Sequence, residues 1–318
     1  MKSETADPLV GRLREIAGDT PELRVTARLY EAILPICRDA RMESFEFLAD
    51  AAGMQQALES GAPILTAGEF EVELQETEKL MLDLLVSIEA MEFAGRGGRR
   101  WRFWDTGQEP WSAGELAALD KLRGSAACLR IRCQTGQLDL GSLLALAADG
   151  DRAGFEQVLD APDQEADLLW TLSHHAIKPL LREVRKKAPQ QQEAGWQKGN
   201  CYVCGAEATL GELQDNAQQK HLRCAQCGAD WHHPRLQCFH CGNEDHRKLK
   251  YLYAEGKEHR RIEVCDECHS YLKVITAFTP TAPELVAVED LATLDLDFLA
   301  QVHGYRKPQQ APHGEQVT

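Results

Sequence analysis

Eight of the chain's eleven cysteines stand in four C-x-x-C pairs, and this spacing constrains the fold more than any other feature. The pairs are Cys201/Cys204, Cys224/Cys227, Cys238/Cys241 and Cys265/Cys268. Two intervening residues let both sulfurs of a pair approach one ion while backbone N–H groups turn towards them and offset thiolate charge. Gly205, Gly228 and Gly242 follow the second cysteine of three pairs, where a positive φ is easiest for glycine. His269 holds that place in the fourth pair, and histidine is among the residues that tolerate the left-handed region.

The gaps between successive pairs are 19, 10 and 23 residues. The two long gaps suit a hairpin that carries two pairs to one ion. The spacing therefore predicts one site from Cys201, Cys204, Cys224 and Cys227 and another from Cys238, Cys241, Cys265 and Cys268. Interleaved pairing, first with third, stays open. Four cysteines around an ion leave no vacant coordination position, so such sites are structural or electron-transferring rather than hydrolytic. Tetrahedral sulfur suits zinc or a rubredoxin-like mononuclear iron. No βαβ pattern surrounds any pair, against a thioredoxin-like redox role. His232, His233, His240 and His246 lie near the pairs, but eight thiolates already fill two sites, so these histidines read as surface or capping residues.

The rest of the chain reads as helical. Pro21–Asp39 and Glu43–Glu59 carry broad apolar faces, and in Glu69–Phe93 the residues Met81, Leu84, Leu85 and Ile88 recur at helical spacing. Leu80, Leu82 and Val86 are apolar too, which predicts burial on most sides. Ser112 and Glu115 form a capping box ahead of a face made by Leu116, Leu119, Leu122, Ala126, Leu129 and Cys133. Leu169, Leu172, Ala176 and Leu180 predict another helix, interrupted or kinked at Pro179. A polar, glutamine-rich stretch (186–200) reads as a linker. Beyond it, Leu249, Tyr251 and Tyr253 alternate, a turn follows at Glu255-Gly256-Lys257, and Ile262 and Val264 alternate in their turn. Trp231–Leu236 and Tyr271–Ile275 are further strand candidates. A last helix is expected from Asp290 to Gly304, with Leu291, Leu294, Phe298 and Val302 on its packed face.

The expected fold class is α plus small β: an all-α domain (1–188), a linker (189–200), a rubredoxin- or zinc-ribbon-like domain with two four-cysteine metal sites (201–275), a C-terminal extension with one helix (276–305) and a disordered tail (306–318). His174 and His175 lack an evident nucleophilic or acidic partner, so no catalytic residue is assigned and the chain reads as a non-enzyme. Arg96, Arg99, Arg100 and Arg102 interleave with Trp101, Phe103 and Trp104, a pattern read as a solvated loop anchored by tryptophans.

The chain carries 50 acidic against 35 basic residues, a net charge of −15. That sign is wrong for a protein held to nucleic acid by phosphate neutralisation. From Gly195 to Lys273 the counts are 11 basic and 11 acidic. Two divalent ions on eight thiolates then add about four negative charges, which disfavours a nucleic-acid-binding zinc ribbon, the main alternative. The opening MKSETADPLVGR has no apolar core, and no apolar run approaches the roughly 18 residues that span a bilayer. The expectation is a cytoplasmic protein without membrane insertion, where thiols stay reduced and clustered pairs point to metal.

Four segments in order carry a resemblance: CYVCG, then LRCAQCGADWHHPRLQCFHCGN, then LKYLYAEG followed by RRIEVCDECHSYLKVI, then EDLATLDLDFL with HGY after it. Over about residues 196–305 the chain resembles the formate dehydrogenase accessory proteins of the FdhE type. The resemblance implies a cytoplasmic bacterial factor for maturation of respiratory formate dehydrogenase that binds the enzyme's catalytic subunit. It also implies two iron ions per chain on the eight paired cysteines, with zinc able to replace iron, and no recognised catalytic residue. Self-association is left open.

Overall fold

A computed structural model of the chain describes residues 7–71, 74–92, 111–148, 150–159, 163–189 and 195–308. The arginine–tryptophan segment (96–104), residues 190–194 of the glutamine-rich stretch and the end of the tail (309–318) lie outside the described residues. No described helix is long and apolar enough to cross a membrane. The chain divides into two compact units, one of Met1–Arg41 with Leu74–Ile177, the other of Met42–Glu73 with Lys178–Thr318.

The first unit is helical: α1 (Pro8–Asp19), α2 (Arg24–Asp39), α4 (Leu74–Glu89), α5 (Ala113–Gln134), α6 (Leu140–Ala148), α7 (Arg152–Leu159) and the start of α8 (Asp163–Lys187). The periodicity in α4 buries Met81, Leu84, Leu85 and Ile88 completely, against α2 and α5. Val86, expected to be covered as well, is 49% exposed: the helix is amphipathic, with one side left to solvent. Helix α5 starts at the expected capping box: Glu115 N–H donates to Ser112 Oγ at 3.2 Å and Ser112 N–H to the Glu115 carboxylate at 2.7 Å. It buries Leu119, Ala126 and Leu129. Pro179 does not interrupt α8. Proline removes a single helical hydrogen bond, and the turns on either side carry the helix through.

The second unit is built on a six-stranded sheet of β3 (Leu210–Gln214), β4 (Gln219–Arg223), β5 (Asp230–His232), β6 (Leu249–Leu252), β7 (Arg260–Cys265) and β8 (Tyr271–Ala277), in the order β5-β4-β3-β8-β7-β6. It consists of two antiparallel three-stranded meanders, β3-β4-β5 and β6-β7-β8, joined by a parallel pairing of β3 with β8. Gly211 permits that junction: a Cβ there would lie 3.0 Å from Val274 Cγ2 and 3.1 Å from Leu272 Cδ2. The β6–β7 hairpin and β8 form where the sequence reading places strands; β7 buries Ile262 and Val264 in alternation, but Tyr251 and Tyr253 are exposed and β8 is buried from Tyr271 to Ile275. Strands β3 and β4 escape that reading, because both carry polar side chains into buried positions.

The stretch Met42–Glu73 groups with the sheet unit and is only partly helical. It holds β1 (Glu46–Leu48) and β2 (Glu69–Glu71), paired antiparallel, with α3 (Ala51–Glu59) between them. The helix expected over Glu43–Glu59 thus gives way at its start to a strand that buries Phe47 between exposed Glu46 and Leu48, a period-two pattern too short to stand out. The stretch is tied in by backbone hydrogen bonds from Ile64 N to Tyr202 O (2.8 Å) and from Leu65 N to Val203 O (2.9 Å).

The expected last helix is two, α9 (Val286–Ala292) and α10 (Leu294–Val302). Thr293 separates them, its hydroxyl donating to Glu289 O at 2.8 Å. The break re-phases the chain, so α10 buries Leu296 and Ala300 and leaves Phe298 and Val302 66% and 83% exposed, contrary to the expected face. Gly304 follows α10 with φ +84°, as a stop residue should.

Candidate metal centres

Each meander carries two cysteine knuckles in equivalent places. One knuckle precedes the first strand and the other forms the turn between the second and third strands. Cys201/Cys204 lead into β3, and Cys224/Cys227 turn β4 into β5; Cys238/Cys241 lead towards β6, and Cys265/Cys268 turn β7 into β8.

The four knuckles share one hydrogen-bond pattern. The residue after the second cysteine donates its N–H to the carbonyl of the first: Gly205 to Cys201 (2.9 Å), Gly228 to Cys224 (2.9 Å), Gly242 to Cys238 (3.0 Å) and His269 to Cys265 (2.8 Å). The first cysteine's own N–H donates one residue further on, to Ala206, Ala229, Asn243 and Ser270 respectively. This closure needs a left-handed residue. Gly205, Gly228 and Gly242 have φ of 78°, 77° and 71°, and His269 manages 56°.

The sulfurs gather as the sequential spacing predicts. Cys201, Cys204, Cys224 and Cys227 form site 1; Cys238, Cys241, Cys265 and Cys268 form site 2; within each, all ligand atoms lie within 4.8 Å of one another. Sulfur separations are 3.5 Å (Cys201–Cys227) and 3.6 Å (Cys204–Cys224) in site 1, and 3.7 Å (Cys238–Cys268) and 3.8 Å (Cys241–Cys265) in site 2. Four thiolates held tetrahedrally about 2.3 Å from an ion sit about 3.8 Å apart, so both clusters could hold one ion each. No histidine joins either group among the described residues. His233 is instead buried, its Nδ1 3.0 Å from Pro234 O, and burial beside Lys220 drives its titration down to about 4.

Site 1 is sealed. All four of its cysteines are buried in a core with Trp196, Tyr202, Val203, Trp231 and Phe239. The two indoles spend their N–H groups on the strand leading in, Trp196 to Asn200 O (2.8 Å) and Trp231 to Lys198 O (2.9 Å). Gly199 lies against the next knuckle, where a Cβ would collide with the Phe239 carbonyl oxygen. Burial pushes the Cys201 thiol well up, whereas hydrogen bonds from the other three cysteines draw Cys224 well down. A metal ion binds cysteine as thiolate, so loading such a cluster releases protons.

Site 2 is open. Cys238 and Cys265 are buried, Cys268 is half-buried and Cys241 is exposed. Burial raises Cys268, but hydrogen bonds from Ser270 and from Cys241 and Cys238 outweigh it and bring that thiol below its ordinary value. Arg235, Gln237, Phe239, Leu249 and Tyr251 line a groove that reaches Cys238 and Cys265. Ser270 and Asn243 escaped the sequence reading; the signal for Ser270 is its place two residues past the last cysteine.

Residues 236–312 match the family described as FdhE, C-terminal domain. Proteins described as FdhE homologs are 36% identical over 46% of this chain in Stutzerimonas stutzeri and 31% identical over 41% of it in Aquifex aeolicus. These alignments span 44% and 47% of those relatives, less than half their length. The crystal structure of the FdhE protein from Pseudomonas aeruginosa covers 96% of this chain and 93% of its own at a TM-score of 0.53 and 21% identity, a likeness of fold. The matching domain falls on the third and fourth cysteine pairs and the helices after them, so the resemblance to the FdhE-type proteins read from the sequence is borne out there.

Proposed function

We propose that this protein is an accessory factor for maturation of a respiratory formate dehydrogenase, that it acts in the cytoplasm by binding the enzyme's catalytic subunit, and that it catalyses nothing alone. The observation that carries this reading is the pair of four-cysteine clusters, the second of them on the segment that matches the FdhE C-terminal domain. Four protein sulfurs per ion leave no coordination position for a substrate. In this reading Cys201, Cys204, Cys224 and Cys227 hold one ion and Cys238, Cys241, Cys265 and Cys268 another. The ion is iron, with zinc entering when the protein is made in air.

A deletion strain tests the partner. Formate-dependent respiration should be lost while the catalytic subunit is still synthesised, and the wild-type protein should capture that subunit in a pull-down. A variant with Cys238, Cys241, Cys265 and Cys268 changed to Ser should not restore activity. Full activity in the deletion strain without capture would return the nucleic-acid-binding ribbon to first place. Protein purified without oxygen tests the metal: it should hold two ions per chain and show iron–thiolate absorption when oxidised. Zinc alone would remove iron from the reading.

A further inference from the structure

The two clusters differ in what reaches their sulfurs. At site 1, among the described residues, the side-chain groups within hydrogen-bond distance of a sulfur are the other cysteines. At site 2, Ser270 Oγ stands 2.9 Å from Cys268 Sγ and 3.8 Å from Cys238 Sγ, and Asn243 Nδ2 stands 3.8 Å from Cys265 Sγ. A metal-bound cysteine is a thiolate and can only accept, so the serine hydroxyl must donate. Ser270 is itself 2% exposed, held by its carbonyl, which accepts from Cys265 N at 3.1 Å, and by its bridge to Arg306. Its hydroxyl is therefore fixed beside the sulfurs.

From this contrast we propose that the two sites are unequal by construction. Site 1 fills on folding and keeps its ion. Site 2 loads and releases its ion, with Ser270 as the positioning residue that steadies its thiolates. This rests on the reading of both clusters as metal sites. Two physical facts support it. An ion leaves a four-thiolate site when a chelator bonds to the ion and displaces a thiolate, which takes up a proton, and this needs an opening from solvent beside a ligand; Cys241 is exposed at site 2, and all four cysteines are buried at site 1. A tetrathiolate complex with a divalent ion carries excess negative charge, which at site 1 is met by knuckle N–H groups in a closed core. At site 2, where water enters, side-chain donors add to them. Outer donors of this kind typically govern affinity by about 10–100-fold.

The test is zinc release from the full-length protein to a chromophoric chelator, with cobalt(II) as a spectroscopic substitute. Two ions should leave in two phases of one ion each, and the fast phase should vanish when Cys238 and Cys241 are changed to Ser. Ser270→Ala should weaken site 2 by about 10–100-fold and move its sulfur-to-cobalt charge-transfer band to lower energy, leaving the slow phase alone. Ser270→Thr, which keeps the hydroxyl, should behave like the wild type and so separates hydrogen bonding from mere packing. Release of both ions in one phase, a slow phase that maps to site 2, or an equal effect of Ser270→Ala on both ions would overturn the proposal. Protein that binds no ion would instead overturn the metal reading beneath it.

Discussion

In the helical unit the fully enclosed side chains are mainly apolar, Leu13, Ile33, Met81, Leu84, Leu119 and Leu129 among them, with the uncharged Ser173 beside them, whereas the sheet unit encloses site 1 together with Lys220, Arg223, Lys273 and Glu212. Each buried cation there has a built partner. Lys273 Nζ lies 2.7 Å from Asp297 and 2.8 Å from Asp290 O, with Tyr271 donating to Asp297 at 2.5 Å. Lys220 lies 3.1 Å from Glu263, and Arg223 pairs with Glu212 and donates to Thr281 O at 2.5 Å. The difference teaches how each unit is stabilised. Apolar area is removed from water by any close packing and tolerates imprecision, at about 25 cal/mol per Å². A buried ion pair or a thiolate cluster gains nothing until every partner is in place.

The largest expected effect tests that contrast directly. A structural zinc ion contributes about 10–16 kcal/mol of apparent folding energy in small zinc domains at neutral pH. Stripping metal with a chelator under reducing conditions should therefore abolish protection of the β3–β8 amides in hydrogen exchange while those of α4 and α5 stay protected. Equal loss in both units would break the comparison.

Next comes the buried pair. Asp297→Ala takes one of two carboxylate partners from Lys273, which has no exposed side-chain surface and keeps Asp290 Oδ1 at 2.5 Å, and should cost the sheet unit about 3 kcal/mol, the low end for a broken buried pair. Changing Lys273 to Met together with Asp297 to Leu should recover much of that loss, since apolar replacement of a whole buried pair is often neutral. A double variant as unstable as the single one would mean that the pair does more than satisfy its own burial. Leu84→Ala, at a fully buried position of α4, should cost the helical unit about 2–5 kcal/mol and leave the metal content unchanged. A lost ion in that variant would blur the division.

The smallest effect lies at the start of α5. Ser112→Ala should cost about 1 kcal/mol. Hydrogen bonding to Ser112, with Arg24 beside it, holds the Glu115 carboxylate below its ordinary value. A carboxylate depressed in the folded state contributes above its unfolded value and loses that contribution as pH falls through the folded one. The difference between wild type and Ser112→Ala, followed by thermal unfolding, should therefore shrink below about pH 4. A difference that stays constant down to pH 3 would assign the cap to Ser112 alone.

Legibility in the sequence followed the range of the interaction. The four knuckles could be read because C-x-x-C followed by a residue that tolerates positive φ is complete within six residues, His269 included. The α4 stripe and the Ser112 box are local in the same sense. Strands β3 and β4 were invisible because Glu212, Gln214, Lys220 and Arg223 stand where alternation calls for apolar side chains, and these residues are satisfied by partners elsewhere in the chain. Phe298 and Val302 were misassigned because a one-residue break at Thr293 turns the helix face.

By itself the sequence determined the eight paired cysteines and their knuckles, since a two-residue spacer and a left-handed closing residue leave a knuckle little conformational choice; it favoured the sequential grouping, and the structure decided it against the interleaved one. Tertiary structure alone decided that β3 pairs in parallel with β8, that Met42–Glu73 is stitched to the first knuckle, that site 1 is sealed by Trp196 and Trp231 while Cys241 stays in solvent, and that Ser270 stands beside two sulfurs. The reason is physical: each of these depends on contacts between residues far apart in the chain, and no local pattern encodes which distant surface will cover a given side chain.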